Sequence, residues 1–517
     1  MIDQQVIHQI KGVLANLSTP FTFIVERNPN DAKAADNSQF VEDVASCSPL
    51  LSVEYRDGND FRFSVLHNGE PTGISFRGIP NGHEFTSLLL VLLNGDGQGR
   101  NLPDAALTQR IKALKGDIRL RTYVSLTCTN CPDVVQALNV MALLNPAISH
   151  ETIDGAVCQD EVEQLNIQAV PAVYLGDELL HVGRGTLGGL LEELEDHLGV
   201  EAASGGHSET HSADLLVLGG GPAGAAAAIY AARKGQQVAL VAQRIGGQVN
   251  DTTGIENIIS VPTTTGAQLA SDLSTHLSKY PIGVYTNRRI TAVDFTGPTK
   301  RVETRGGEIF LAPQVIIATG AGWRRLGLNE EEKYIGHGIH FCPHCDGPFY
   351  KGKNVAVIGG GNSGVEAAID LAGICRHVTV FEFADKLKAD DVLQQKLRGL
   401  PNVDIFLNSQ TVGLKGDGTR LTGIDVRDLH SEEQRHVTLD GVFLQIGLKP
   451  NSEVFKGAVE QTPRGEIVVD DRNRTSAKGV YAAGDVTTTP FKQIMIAMGE
   501  GAKAALAAFE DRLYQSS

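Results

Sequence analysis

The chain of 517 residues has no basic excess, few cysteines and no long apolar run. Lysine and arginine total 45 against 61 aspartates and glutamates, a formal net charge of -16. A surface of that sign repels polyanions, which argues against nucleic acid or an anionic membrane as the main partner. No stretch approaches the roughly 18 consecutive apolar residues that a membrane-crossing helix needs. The opening residues, Met1 to Ile7, show neither a cationic start nor an apolar signal core, so neither secretion nor a membrane span is expected. Four of the seven cysteines fall in two Cys-x-x-Cys pairs, Cys128/Cys131 and Cys342/Cys345. Such usage suits a reducing compartment in which disulfides are catalysts rather than staples, and a cytoplasmic location is expected.

The apolar fraction of 42% is that of a globular chain long enough for three or four domains. The clearest boundary is the small, polar stretch 200–212, which reads as a flexible linker between an amphipathic helix ending near Leu198 and a strand starting at Asp214. His207 and His211 stand there at i, i+4, but a Gly/Ser-rich run sets no common helix face. Four thiolates could in principle hold zinc, yet the two pairs stand far apart on either side of the linker, each in its own redox context. No metal is expected. Closing a loop of about four residues contributes only roughly 2 kcal/mol by chain entropy, so neither pair is needed as a structural crosslink. Cys47, Cys158 and Cys375 have no partner at short spacing and read as packing residues.

Upstream of the linker a faint repeat is visible. Val65 to Glu70, then Ile74 to Gly78, resembles Val173 to Glu178, then Leu180 to Gly185: strand, glycine turn, strand, Leu-rich helix. The second copy (101–199) opens with a strand, Leu120 to Leu126, that runs into Cys128-x-x-Cys131 and carries Val170-Pro171 further on, the arrangement of a thioredoxin-like fold. A cis Val170-Pro171 bond is expected there. The first copy (1–100) has the matching strand at Phe21 to Val25 but no cysteine after it, and reads as the same fold without its redox centre.

Downstream, two Gly-x-Gly-x-x-Gly turns each follow a buried strand and open a helix, a context in which glycine backbone and helix N-terminus can receive a pyrophosphate. They are Gly219, Gly221, Gly224 and Gly359, Gly361, Gly364. Two such units imply two nucleotides. The strand His377 to Phe381 ends in Glu382, a carboxylate placed to bond ribose hydroxyls and to repel a 2′-phosphate, so the second unit should prefer NADH to NADPH. In the first unit the corresponding strand, Val238 to Ala242, ends in Gln243 instead.

Gly246-Gly247-Gln248, Ala318-Thr319-Gly320, Cys342-Pro343-His344-Cys345-Asp346, Gly359 to Gly364 and Gly479 to Asp485 closely resemble the low-molecular-weight thioredoxin reductases. With the double thioredoxin-like half, the chain over essentially its whole length resembles the flavoprotein subunits of bacterial alkyl hydroperoxide reductases. The resemblance implies an α/β protein of tandem thioredoxin-like folds followed by two Rossmann-like domains, with an NADH domain (327–450) inserted between the two parts of an FAD domain (213–326 and 451–517). It places FAD at Gly219, Gly221, Pro222, Ala223, Gly224, Gln243, Gln248, Asn257, Thr319 and Gly320, with Gly484, Asp485 and Gln493 completing that site. NADH falls to Gly359, Gly361, Asn362, Ser363, Gly364 and Glu382. Electrons would pass from NADH to FAD, to Cys342/Cys345, to Cys128/Cys131 and on to a 2-Cys peroxiredoxin that reduces hydrogen peroxide and alkyl hydroperoxides, the chain acting as a homodimer.

The same resemblance sets Cys345 beside the flavin, Cys342 outward as attacker and Asp346 as acid or base. Cys128, at a helix N-terminus, is expected to be the exposed nucleophile of its pair. Glu84 resembles a family acid near the N-terminal dithiol, although a solvated helix start explains it equally well. Thr129 departs from the histidine expected between the N-terminal cysteines. Two other readings compete: an NADH-dependent thioredoxin or glutaredoxin reductase with a fused carrier, and a disulfide-binding chaperone module kept reduced by its own flavin domain.

Overall fold

A computed structural model describes residues 2–28, 32–58, 61–99, 102–128, 131–167, 169–200, 209–251, 255, 258–328, 331–335, 337–341, 343–417 and 420–515. The chain divides into two compact units, one of residues 1–199 with 325–446, the other of 200–324 with 447–517. Among the described residues no helix is long and apolar enough to cross a membrane.

In the first unit, residues 1–199 build one eight-stranded sheet from β1 (Phe21–Arg27), β2 (Leu51–Asp57), β3 (Arg62–His67), β4 (Glu70–Arg77), β5 (Ile118–Val124), β6 (Ile148–Asp154), β7 (Ala172–Leu175) and β8 (Glu178–Val182). Its order is β2-β1-β3-β4-β6-β5-β7-β8, so the internal repeat is literal: each half runs parallel pair, then antiparallel hairpin. The halves are not beads on a string. β4 pairs in parallel with β6, Ile74 to Arg77 against His150 to Ile153, and fuses them into a single sheet. Alternation puts Phe23, Phe63 and Phe76 fully inside the first half, with Phe63 stacked on Phe76 at 5.2 Å. Each such ring contributes on the order of 2 kcal/mol by leaving water. The Val170-Pro171 bond is cis, as expected.

Residues 325–446 form a parallel sheet of Ile339–His340, Gly441–Leu444, Asn354–Ile358, His377–Phe381 and Val403–Phe406, flanked by an antiparallel three-stranded sheet. The second unit repeats the plan. Its parallel strands run in the order Ile282–Tyr285, Val238–Val241, Leu215–Leu218, Gln314–Ile317 and Val480–Ala482; the last four are apolar-rich runs buried on both faces, and Ile282–Tyr285 is a partly exposed edge. The long helix Ile494–Gln515 lies so close to the helix Pro222–Arg233 that a Cβ on Gly501 would stand 2.0 Å from the Ala223 carbonyl oxygen.

Two expected boundaries shift. Thr210–Ser212, placed in the linker from composition, is a strand that pairs in parallel with Ile309–Leu311 and belongs to the second unit; 201–208 lie outside the described residues. The inserted domain ends at Ile446 rather than at residue 450, because Leu448–Pro450 pairs antiparallel with Ala321–Trp323 inside the second unit. Thr319 and Asn451 clasp the two crossings: the Thr319 hydroxyl donates to the Asn451 carbonyl at 2.7 Å, and the Asn451 amide returns a bond to the Thr319 carbonyl at 2.9 Å.

Candidate active site

Both dinucleotide turns have the same steric logic. A Cβ on Gly219 would stand 2.1 Å from the Ala318 carbonyl oxygen, and one on Gly359 2.2 Å from that of Gln445. At the third glycines, Gly224 and Gly364, it would meet the first glycine's own carbonyl oxygen at 1.9 and 2.0 Å. The middle glycines differ. Gly361 has nothing within 4 Å and Gly221 only the Gly246 carbonyl at 3.9 Å, so both turns present open backbone there. Gly221 and Gly361 are also the N-caps of the following helices, and neither helix start is capped by a side chain. Uncapped N–H groups, a positive helix end and an open approach fit a pyrophosphate in each unit. Pro222 and Ala223 open the first helix, Asn362 and Ser363 the second; Asn362 is tied through its amide to Asp390 at 3.1 Å.

Glu382 follows the strand His377–Phe381 directly. One oxygen accepts from the Gly360 N–H at 2.5 Å, the other from the Ala384 N–H at 2.8 Å, and the residue is 8% exposed. Gln243 is not its counterpart. Leu218 pairs with Val241 as Ile358 pairs with Phe381, so the position equivalent to Glu382 is Ala242, and Gln243 lies one residue further on, exposed. The difference arises because the strand ends at Val241, not at Ala242.

The remaining expected FAD residues all lie in the second unit: Gln248 half-buried on the turn Gly247–Asp251, Thr319 and Gly320 at the crossing, Gly484 and Asp485 on the turn Gly484–Val486, and Gln493 just before the last helix. Burial pushes the Asp485 carboxyl up, with Lys492 opposing. Asn257 lies outside the described residues.

Cys131 begins the helix Cys131–Leu144 and is fully buried. Its N–H donates to the Cys128 sulfur at 3.2 Å, so the helix N-terminus favours a thiolate on Cys128. Burial, then the neighbouring Cys128 sulfur, push the Cys131 thiol well above its usual range. The expectation of an exposed Cys128 is corrected: it is 6% exposed. Tyr123, Val124, Ile167, Val170 and Tyr174 enclose the pair, and Phe349 of the inserted domain packs against the same cluster. Thr129 lies outside the described residues.

Glu84 is the surprise on this side. It sits on the one-turn helix Gly82–Glu84, tied to the loop after β5 by the His83 N–H to the Leu126 carbonyl at 3.2 Å. It is 0% exposed, and among the described residues neither carboxylate oxygen finds a hydrogen-bond partner. A solvated helix start is thereby ruled out. Burial raises its carboxyl from 4.5 to about 7, Asp133 adding to the rise and Ser87 opposing it. Its charge is also felt at Cys131.

A carboxyl raised on folding stabilises below its unfolded value and loses that stabilisation as pH rises through its folded value. Glu84 should therefore cost the N-terminal half roughly 3 kcal/mol between about pH 4.5 and 7, at about 1.4 kcal/mol per pH unit. Glu84→Gln should abolish that decline. Hydrogen exchange of peptides from the helix Phe85–Gly95 in the full chain measures it; a pH dependence identical to that of the native chain would refute the burial argument.

Cys342 lies outside the described residues, and Cys345 is placed by its backbone on the helical turn Pro343–Asp346. Asp346 closes that turn. Its Oδ2 lies 3.2 Å from Nδ1 of His340, whose Nε2 is 2.7 Å from the Tyr350 hydroxyl. Neither His340 nor Tyr350 was a sequence candidate. The available signal was a histidine two residues before a Cys-x-x-Cys pair, on a strand of only two residues, Ile339–His340.

Among the described residues one group has metal-ligand spacing, Glu209, His211 and Glu308. Glu308 gives both oxygens to Arg288 at 2.8 Å each, so its charge is already matched by a guanidinium. His207 lies outside the described residues. Cys47 and Cys375 are buried and Cys158 half-buried, in keeping with packing roles.

Residues 213–501 match the pyridine nucleotide-disulphide oxidoreductase family, and residues 119–195 match the thioredoxin domain. The chain is 48% identical to the F component of alkyl hydroperoxide reductase from Pseudomonas aeruginosa, covering 100% of this chain and 99% of that protein. It is 47% identical to the protein of the same name from Staphylococcus aureus, covering 99% of each. The crystal structure of T. acidophilum thioredoxin reductase superposes with a TM-score of 0.53 at 36% identity, covering 59% of this chain and 99% of that one. That of Lactococcus lactis thioredoxin reductase gives 0.54 at 32% identity, covering 58% and 98%. With full-length identity near one half and both dinucleotide turns intact, the chain belongs to the family of alkyl hydroperoxide reductase F components, FAD-dependent disulfide reductases driven by NADH.

Proposed function

We propose that this reductase feeds a 2-Cys peroxiredoxin, its partner peroxidase, through two dithiols in series: Cys342/Cys345, then Cys128/Cys131. The observation that carries this order is the seat of Phe349. It lies four positions after Cys345 and packs into the apolar cluster that encloses Cys128 and Cys131. His337 of the same inserted domain also bonds the backbone of Asn166 in the dithiol half. Bound FAD supplies a two-electron store between NADH and the first dithiol; its candidate holders are Gly219 to Gly224, Gln248, Thr319, Gly320 and Gly484 to Gln493, with NADH at Gly359 to Gly364 and Glu382. The proposal keeps the chain in the cytoplasm, as a homodimer, where a catalytic dithiol is regenerated rather than locked.

The interchange balances as follows. The Cys342 thiol gives its proton to Asp346, and the thiolate attacks the Cys128 sulfur of the Cys128–Cys131 disulfide. A Cys342–Cys128 bond forms, and the electron pair of the old bond leaves on Cys131, which takes its proton from buried, neutral Glu84. Cys345, its proton lost to solvent, then attacks Cys342 as a thiolate, closing the Cys342–Cys345 disulfide and releasing Cys128 as thiolate. Asp346 and Glu84 exchange their protons with solvent. Cys128/Cys131 is left reduced for the partner.

Removing both resolving thiols should trap the intermediate. A Cys131→Ser, Cys345→Ser double variant treated with an oxidant should accumulate a Cys128–Cys342 crosslink, read by peptide mass. Absence of that crosslink, with a Cys128–Cys345 crosslink accumulating instead in a Cys131→Ser, Cys342→Ser variant, would reverse the roles of the second pair. NADH consumption with a panel of oxidised thioredoxins, glutaredoxins and peroxiredoxins, with and without peroxide, tests the partner, and equal turnover of a thioredoxin would favour the carrier-fused reductase.

A further inference from the structure

We infer that His340 is a positioning residue for Asp346, orienting the carboxylate that takes the proton of the Cys342/Cys345 pair; this rests on the role given to Asp346 above. The observation is a buried chain of three groups ending beside the dithiol turn. His340 is 2% exposed and Tyr350 1%. The Tyr350 ring is fixed over Gly441, where a Cβ would stand 2.3 Å from its edge, and the His340 ring packs against both Tyr350 and Phe443, with centroids at 5.2 and 5.4 Å.

The tautomer follows from chemistry. Burial, together with the negative Asp346 and Asp440, pushes the Tyr350 hydroxyl far up, so it keeps its proton and donates to His340 Nε2. An imidazole that accepts at Nε2 carries its proton on Nδ1, and Nδ1 then faces Asp346 Oδ2 at 3.2 Å with an N–H to offer. A donor fixed in this way holds one carboxylate oxygen of Asp346 in place and leaves the other to accept a thiol proton. No electrons move in this step: the S–H bond breaks, an O–H bond forms on Asp346, and the thiolate keeps the pair.

The charged and titratable groups around the chain are few. His337 lies on the same segment as His340, and Asp440, Arg420 and Cys375 face Tyr350. Among the described residues the imidazole bonds to Tyr350 and stands 3.2 Å from the Asp346 carboxylate, the charge it faces.

The test uses full-length enzyme with FAD content and melting checked for each variant. His340→Leu removes both bonds, His340→Asn can set an amide N–H where Nδ1 stands, Tyr350→Phe removes the distal donor, and Asp346→Asn removes the acceptor. Two quantities are read against pH: NADH consumption with 5,5′-dithiobis(2-nitrobenzoate), and the rate at which iodoacetamide captures Cys342 and Cys345 in the reduced chain. His340→Leu should slow disulfide reduction by about tenfold or more and move the acidic limb of cysteine capture to higher pH, as loss of an oriented acid–base pair does. His340→Asn should stay within about threefold of native, and adding His340→Leu to Asp346→Asn should cost less than about twofold more, since the two act as one unit. Losses that multiply, or a capture profile in His340→Leu matching the native one, would overturn the inference. An Asp346→Asn enzyme with native rates and capture would instead remove the reading of Asp346 beneath it.

Discussion

A chain shortened to begin at Glu209 should hold FAD and oxidise NADH with an artificial acceptor, yet fall by at least about two orders of magnitude in peroxide turnover through a 2-Cys peroxiredoxin. Both dinucleotide turns and Cys342/Cys345 lie downstream of the cut. The start must spare Thr210–Ser212, because that strand pairs with Ile309–Leu311 and its loss would open a sheet edge. Solved thioredoxin reductases, with 99% and 98% of their length covered by this part of the chain, show that such an assembly stands without a thioredoxin-like half. What the short chain lacks is the carrier. Cys128→Ser in the full chain should reproduce the failure with the fold intact, since it swaps one small side chain for another and removes the attacking sulfur. Residues 1–199 supplied separately should restore turnover only near millimolar concentration, the local concentration that a short tether provides. NADH consumption at fixed peroxide and peroxiredoxin measures all three. If the shortened chain kept pace with the full one, Cys128/Cys131 would be no obligatory relay.

What the sequence disclosed was what is local. The third glycine in Gly-x-Gly-x-x-Gly is required by the carbonyl of the first, a contact within one turn, so Gly224 and Gly364 are legible from spacing alone; Gly219 and Gly359 are also required by Ala318 and Gln445, which spacing does not show. The same holds for the hairpins β3–β4 and β7–β8, whose glycine turns lie between paired strands. Three features were not legible because they depend on segments distant in the chain. The parallel pairing of β4 with β6 joins residues more than 70 positions apart, and neither strand's alternation announces its partner. The burial of Glu84 comes from the loop after β5 closing over its turn; by composition alone Gly82-His83-Glu84-Phe85 reads equally as a wet helix start. The register that makes Ala242, not Gln243, the equivalent of Glu382 turns on one residue of strand length. His340 was missed because a lone histidine before a dithiol is unremarkable until Tyr350 and Asp346 arrive on either side.

That register bears directly on cofactor choice, where catalytic efficiency with NADH should exceed that with NADPH by at least about tenfold. Glu382 is held by two backbone N–H groups at 2.5 and 2.8 Å and is only 8% exposed, so it cannot swing aside to admit a 2′-phosphate. A like-charge contact of this kind costs upward of about 1.4 kcal/mol, which is one factor of ten. The site in the other unit has no such gate, since Ala242 carries no charge at the equivalent position. Glu382→Gln separates charge from shape: its amide oxygen can still accept the Gly360 N–H, while the repulsion is gone. The ratio of kcat/KM for NADH over NADPH, measured with an artificial acceptor to isolate the first step, should fall toward one in that variant, chiefly through a lower KM for NADPH. Equal efficiencies in the native chain would show that Glu382 does not face the ribose, and an unchanged ratio in Glu382→Gln would show that its charge is not what discriminates.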